Sequence, residues 1–410
     1  MKELEAIASQ EVDWLGYTFD NILRAFLNTS FHHQLSVAAW RLPNQQTQHV
    51  ILDTSEVISS TDWQLEELSP GFVASPFINA DEESPYVRAD IYYQSGKQQC
   101  QTASNAAQTA KIYSSLQQQL RQNKSAQIHT VPLNNSFFSA EPAKFSDIVA
   151  NAVKAIEQGD FKKVVPSRNK LVSLPDNFDS ARTFQQLCDA YPAAFVSLFS
   201  ISGVGTWMGA SPEILVSTYR QEQRRVFRTI ALAGTQPLQG KDPLRSAAWR
   251  QKEIEEQAMV SRYIINCFKK IRLREFDEDG PKTTAAGNLL HLRTDFTVDM
   301  EATNFPELGS VMLRLLHPTS AVCGMPKEPS LEFIQQHEGY DRSFFSGFLG
   351  PVNMQDETHL FVNLRCMQLL GQQAILYAGA GVTIDSEPHR EWEETEMKMR
   401  TIQKLMIDND

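Results

Sequence analysis

The chain has 410 residues, 42% of them hydrophobic and 10% aromatic, which is ample for a large buried core. Its 49 acidic and 38 basic residues leave a net charge of −11, and Lys and Arg form no runs, so a phosphate-backbone partner such as nucleic acid is excluded as an expectation. An acidic chain that takes a small anion must cancel its own field locally, with a metal ion or with placed Arg and Lys.

The N-terminal stretch MKELEAIASQEVDWL lacks the basic and apolar regions of a signal peptide. An amphipathic helix is expected over Trp14–Leu27 and a strand over Gln34–Trp40. The Gln-rich tract from Gln94 to Gln127 reads as a solvated helix with loops. After Glu141 the pattern sharpens. FSDIVANAVKAIEQGD places Ile148, Val149, Ala152, Val153 and Ile156 at helical spacing, with Ser146 as a cap candidate and Gly159 as a stop. FKKVVPSRNKLVS is then a strand, followed by the strands AFVSLFSI, GTWMGA, EILVS and RVFRTIALAG. The longest uncharged stretch, Ala190 to Pro212, holds Ser, Gly and two Pro, so it reads as two strands and a turn and not as a membrane span. GVGTWMG has the wrong spacing for a dinucleotide loop and reads as a hairpin.

A long helix is expected from near Ser246 through KEIEEQAMV, with GPKTTAAGN as a loop and HLRTDFTVDM extended. SLEFIQQHEGY is a short helix, LFVNLRCMQLL and QQAILYAGAGV are strands, and the last helix starts near Pro388. Strand runs interrupted by long helices, without βαβ alternation, predict an α+β fold around a large antiparallel core. Five scattered cysteines (Cys100, Cys188, Cys267, Cys323, Cys366) without a CxxC pair fit free thiols in a reducing cytoplasm and carry no zinc signal.

Several groups have the types and spacing that chemistry needs. On the last helix Glu391, Glu394 and Lys398 share one face, and Glu387 extends it backwards. That face is either a solvated helix start, favoured by the dipole, or half of a hard-cation site. Glu256 heads a stripe with Val260, Tyr263 and Cys267. It is either an exposed helix beginning or an inward carboxylate in need of a cation. One of the adjacent Lys162 and Lys163 faces inward from its strand. A buried lysine can serve as a base and a desolvated Glu213 as an acid, although surface charges at strand ends are the simpler reading of each taken alone. Arg365 in an apolar strand calls for an anionic partner, from the protein or a ligand.

In chain order, FKKVVPSR, GASPEILVS, ALAGT, KEIEEQ, HLRTDF, HPTSAVCGMP, EGYDRSFFSGFLG, VNLRC and AGAGVTIDSEPHREWEETEMK together resemble the chorismate-utilising enzymes. That family includes isochorismate, salicylate, anthranilate and aminodeoxychorismate synthases. The resemblance covers about residues 140 to 405. Within the family, Lys163 in the KVV strand matches the isochorismate and salicylate branches. Ala233 stands where aminodeoxychorismate synthases carry a nucleophilic lysine, and HPTSAVCGMPK differs from the aminating pattern. The resemblance is therefore to the isochorismate synthase branch, with salicylate synthase as the alternative.

This resemblance implies two packed antiparallel sheets with helices outside. Residues 1–135 would be the variable N-terminal part and 136–410 the chorismate-binding catalytic region of one compact unit. It implies Mg2+ held by Glu256, Glu391 and Glu394, with Lys163 as base on a water and Glu213 as acid on the leaving hydroxyl. Such a lysine must lose its proton readily, from an ordinary pKa of ~10.4, while the glutamate must keep its own. Arg365 and Lys398 would contact substrate carboxylates. Gly379, Ala380 and Gly381 would present backbone N–H groups, and Gly234, Thr235 and His291 would line the same pocket. A cytoplasmic monomer without an obligatory partner is expected. The chain departs from its relatives at Pro166 (commonly Leu), Gln257 (commonly His) and Phe344 and Phe345 (where Tyr is frequent). The last difference bears on the choice between isochorismate and salicylate.

Overall fold

Two antiparallel sheets of nine strands each organise the chain, an α+β architecture. The computed structural model describes residues 14, 16–55, 57–79, 83–96, 100–102, 106–122, 124–132, 141–238, 242–286 and 289–407. The first sheet runs, in spatial order, through Cys100–Thr102, Ile91–Gln94, Gln48–Asp53, Ser36–Arg41, Phe195–Ile201, Gly205–Ser211, Cys366–Leu369, Gln373–Gly379 and Ser167–Ser173. The second runs through Asp277–Ala286, Leu289–Asp299, Arg224–Pro237, Ile214–Gln221, Thr358–Val362, Phe348–Val352, Gly71–Ser75, Ser84–Arg88 and Ser59–Thr61. Both sheets mix strands from before residue 135 with strands from after it.

The sheets face each other, and strand alternation assigns the side chains. In Ser36–Arg41, Ala38 and Trp40 point into the core between the sheets, whereas Val37 and Ala39 point outward against helices. Phe195 of the first sheet stacks on Phe361 of the second with ring centroids 4.0 Å apart. Such an aromatic pair adds about 0.5–1.5 kcal/mol beyond its buried area. The helices Phe19–His33, Ala106–Gln122, Ser180–Ala190 and Pro388–Ile407 cover the outer face of the first sheet. Pro142–Gln158, Gln251–Lys270, Leu308–Leu316 and Lys327–His337 contribute to the core outside the second. Each outer helix buries one apolar stripe; on Pro142–Gln158 it is Phe145, Ile148, Val149 and Ala152, and Gly159 ends that helix at φ 87°.

Local differences from the expectations have physical causes. The first helix among the described residues is Phe19–His33, and Trp14 is instead buried ahead of it. Ser146 lies inside its helix, which starts at Pro142, so it is not a cap. The long helix starts at Gln251, because Glu253 reaches back to the Arg250 backbone N–H and caps it there, and a short turn, Pro243–Ser246, stands apart. GPKTTAAGN contributes to a strand rather than a loop: Lys282 to Ala286 pair with Arg293 to Leu289, and the irregularity falls at Gly280 and Pro281. Here a tertiary partner overrides a loop-like composition. The Gln-rich segment forms Ala106–Gln122, and Ile112, Leu116 and Leu120 make one face of it buried, not solvated.

Candidate active site

The chain changes sheets at two neighbouring corners, and each corner carries a charge. Gly205–Ser211 lies in the first sheet and Ile214–Gln221 in the second, with Pro212 and Glu213 between them. Thr358–Val362 lies in the second and Cys366–Leu369 in the first, with residues 363–365 between them. The corners are laced together: Val362 N–H donates to Glu213 O at 3.0 Å, and Ala210 N–H donates to Arg365 O at 3.0 Å. Arg365 is thus not in mid-strand, as the apolar run LFVNLRCMQLL suggested. It sits in the break at φ 48°, a conformation costing a non-glycine residue roughly 1–3 kcal/mol.

Lys163 enters from a third direction. The two-residue strand Lys163–Val164 pairs with Gly324–Met325, and Pro166 separates it from Ser167–Ser173. Lys163 is buried and Lys162 exposed, so the strand turns the second of the two inward. Facing it is the glycine-rich end of the neighbouring strand. A Cβ at Gly381 would stand 3.2 Å from Lys163 Cε, so the missing side chain leaves room for the lysine. Gly379 and Gly381 line the cleft, while Ala380 points into the core and its N–H donates to Pro166 O at 3.1 Å. Ala380 therefore does not offer its N–H to a ligand, contrary to the expectation. The main role of the glycines visible here is close approach.

These groups surround one cleft. It is lined by Lys163, Glu213, Gly234, Glu256, His291, Arg365, Gly379, Gly381, Glu394 and Lys398, with Val165, Leu232, Phe345 and Tyr377 among its apolar walls. Gly234 adopts φ 70° at a register shift of its strand, and its carbonyl accepts from His291 Nδ1 at 2.8 Å. The Thr235 side chain lies outside the described residues.

Burial sets the protonation states at this end. It pushes Glu213 up to about 7, against the opposing pull of Lys163. It pushes His291 down to about 4, aided by the Arg365 charge. His291 is thus neutral at pH 7, with its proton on Nδ1, since the Gly234 oxygen only accepts. Arg365 is half-buried, desolvation pulls its guanidinium downward, and its buried Nε finds no hydrogen-bond partner among the described residues. A buried guanidinium donor left unsatisfied by the protein is the donor a ligand carboxylate would accept from.

The cleft borders a second pocket lined by Glu253, Glu256, Asp385, Glu387, Glu391 and Glu394 together with Arg250, Lys252 and Arg390. Glu391 belongs to this pocket and not to the main cleft; Glu256 and Glu394 border both. Glu394 accepts from Lys398 Nζ at 2.6 Å, and Lys398 also donates to Gly379 O at 2.7 Å. Glu391 pairs with Lys252 Nζ at 3.1 Å. Burial raises Glu391, and the Glu394 charge adds to that. Among the described residues no three acidic, His or Cys side chains converge as a finished metal cluster. Three of these carboxylates, Glu256, Glu391 and Glu394, nevertheless border one pocket, and carboxylate oxygens are the donors a hard divalent cation takes.

Sequence reading passed over other residues here. Neither Lys252 nor the buried Glu253 was singled out, although Lys252 lies one turn before Glu256 and so on the same face. Arg342 of the EGYDR segment is fully buried and donates to the carbonyls of Val165 and Val322 and to Glu338, tying the Lys163 segment to the loop before Gly324. Glu396 is not solvated: it pairs with Arg168, whose guanidinium stacks 3.5 Å over Trp392, and with Lys170. Glu393 is exposed, as the helix face requires.

The family model described as chorismate binding enzyme matches residues 59–407. Isochorismate synthase EntC of Escherichia coli K12 is 30% identical over 268 residues, spanning 64% of this chain and 66% of that protein. Isochorismate synthase DhbC of Bacillus subtilis is 29% identical over 279 residues, 65% of this chain and 68% of that protein. Among solved structures, the menaquinone-specific isochorismate synthase MenF of Escherichia coli superposes with a TM-score of 0.74 at 18% identity, covering 95% of this chain and 92% of that one. Anthranilate synthase component I of Streptococcus pneumoniae gives 0.64 at 20% identity, over 90% and 92%. At such identities these structures speak for the fold.

Proposed function

The chain belongs to the chorismate-binding enzyme family, and from that premise we propose that it is an isochorismate synthase, an isomerase that converts chorismate to isochorismate. The observation that carries this reading is the pairing of a buried lysine and a buried, proton-retaining glutamate in one cleft with an unsatisfied arginine donor. The names of the similar proteins EntC, DhbC and MenF agree with it.

In the proposed reaction Lys163 takes a proton from a water as its oxygen bonds to C2 of the ring. The double bonds shift, the C4–oxygen bond breaks, and Glu213 gives its proton to the departing hydroxide, which leaves as water. Lys163 has then gained the proton that Glu213 has lost, and one proton transfer restores both. Arg365 and Lys398 orient the substrate's carboxylates. Neutral His291 lines the cleft without adding charge beside Arg365. Glu256, Glu391 and Glu394 would hold Mg2+, which when bound neutralises and positions the ring carboxylate. Chorismate is a small dianion, so local cations are needed in a chain of net charge −11. A monomer without an obligatory protein partner goes with this reading. Four described cysteines are buried free thiols, which supports a cytoplasmic setting. The product would feed menaquinone or siderophore synthesis.

Incubation of the purified protein with chorismate and Mg2+, followed by chromatography, tests this. Isochorismate without salicylate or pyruvate is the expected result. Salicylate with pyruvate would reassign the protein as a salicylate synthase, and turnover only with ammonia would overturn the proposal.

A further inference from the structure

The acidic end of the cleft already holds a cation of the chain's own. Lys252 lies in the first turn of the Gln251–Lys270 helix, one turn ahead of Glu256. A cation there opposes the helix dipole, so the position needs a compensating reason. The contacts supply one: Lys252 Nζ lies 3.1 Å from Glu391 Oε1 and 3.5 Å from Ser386 Oγ, with 31% of the side chain exposed. Its charge faces Glu391, Glu256 and Glu394, the three carboxylates proposed above for Mg2+. The inference therefore rests on that reading of the metal. From this geometry we infer that Lys252 is a displaceable internal counter-ion, which Mg2+ must dislodge from Glu391 in order to bind.

Occupancy supports displacement over coexistence: the Lys252 ammonium already sits on the Glu391 carboxylate, and a dication held by the same carboxylate would stand at short range from it, where two cations repel. The two lysines are also held differently. Lys398 is fixed by Glu394 and by the Gly379 carbonyl, and its side chain is 19% exposed. Lys252 is nearer solvent, and its flexible stem can swing toward Asp385, an exposed carboxylate lining the same pocket. Lys252 thus keeps Glu391 paired while the metal is away, and in doing so it weakens the site for Mg2+.

The test is a calorimetric Mg2+ titration of the full chain without chorismate, comparing the parent with Lys252→Met, Lys252→Gln and Lys252→Arg. Thermal unfolding with and without Mg2+ accompanies it. Losing a pair worth about 1.4 kcal/mol to the competing state corresponds to about tenfold tighter Mg2+ binding in Lys252→Met and Lys252→Gln. Lys252→Arg, which retains the competing charge, should stay near the parent. The Met variant should unfold at a lower temperature than the parent without Mg2+ and recover more of that loss when Mg2+ is added. Unchanged or weaker Mg2+ affinity in the Met and Gln variants would overturn the inference. So would a parent that binds no Mg2+; chorismate turnover to isochorismate by that same sample would show that the proposed activity stands while the counter-ion role has failed.

Discussion

Two glutamates on the same cleft meet opposite fates. Glu213 sits at a sheet corner with no salt bridge, and burial lifts its carboxyl to about 7. Glu394 sits on the Pro388–Ile407 helix, where burial pushes the same way but Lys398, at 2.6 Å, outweighs it and holds the carboxyl below its usual range. What separates an acid from a charge-bearing ligand is therefore the partner that the fold supplies, not the residue type. One end of the cleft is poised to hand over a proton, and the other to hold a cation.

The largest effect should come from removing the base. Lys163→Ala should lower kcat by about 10^3-fold or more while chorismate binding persists; equal turnover in parent and variant would remove Lys163 from the reaction. Glu213→Gln should follow, with a loss of about 10^2–10^4-fold. The parent's kcat should change its slope against pH near 7, where Glu213 loses the proton it must deliver. A parent profile that is flat from pH 6 to 8 would break the assignment of Glu213 as the acid. Next, Arg365→Gln should raise KM by about tenfold or more, with a smaller change in kcat, because its unsatisfied Nε donor serves binding. An unaltered KM would place the carboxylate elsewhere.

The smallest effects sharpen the comparison itself, through stability against pH. Glu213 has a raised folded pKa, so its contribution is full below about 4.5 and gone above about 7, an effect of roughly 3 kcal/mol. Glu213→Gln should flatten stability across that window. Glu394 has a lowered folded pKa, so its contribution is present above about 4.5 and fades as pH falls through the folded value. Lys398→Met should erase that acid-side loss, a change of about 1 kcal/mol for a partly exposed pair. Urea unfolding midpoints measured from pH 4 to 8 read both; slopes of the same sign for the two sites would contradict the contrast.

How much of this was legible in the sequence differs between the two ends. Short-range patterns carried far: the strand alternation at Phe195–Ile201, the Gly159 stop and the Pro388 start all follow from local chemistry. The nine ordered segments brought Lys163, Glu213, Glu256, Arg365, Glu394 and Lys398 onto one list, and the cleft gathers all six. What the sequence could not show is where the chain leaves one sheet for the other. Arg365 looked like a mid-strand residue because the residues on both sides of the corner are apolar. Ala380 looked equivalent to its glycine neighbours, but strand alternation turns it into the core. The ion pairs of Lys252 and Glu396 could not be read, because their partners, Glu391 and Arg168, are 139 and 228 residues away in the chain. Long-range ion pairs leave no local periodicity to read.

The most direct measurement of the central claim is the reaction in 18O-labelled water, limited to early turnover and read by mass spectrometry of the products. If Lys163 activates a water at C2 while Glu213 releases the C4 hydroxyl, newly formed isochorismate carries one solvent oxygen, located on C2. Isochorismate that keeps only the oxygens of the starting chorismate would mean that the hydroxyl migrates within the substrate, and would contradict the roles assigned to both residues.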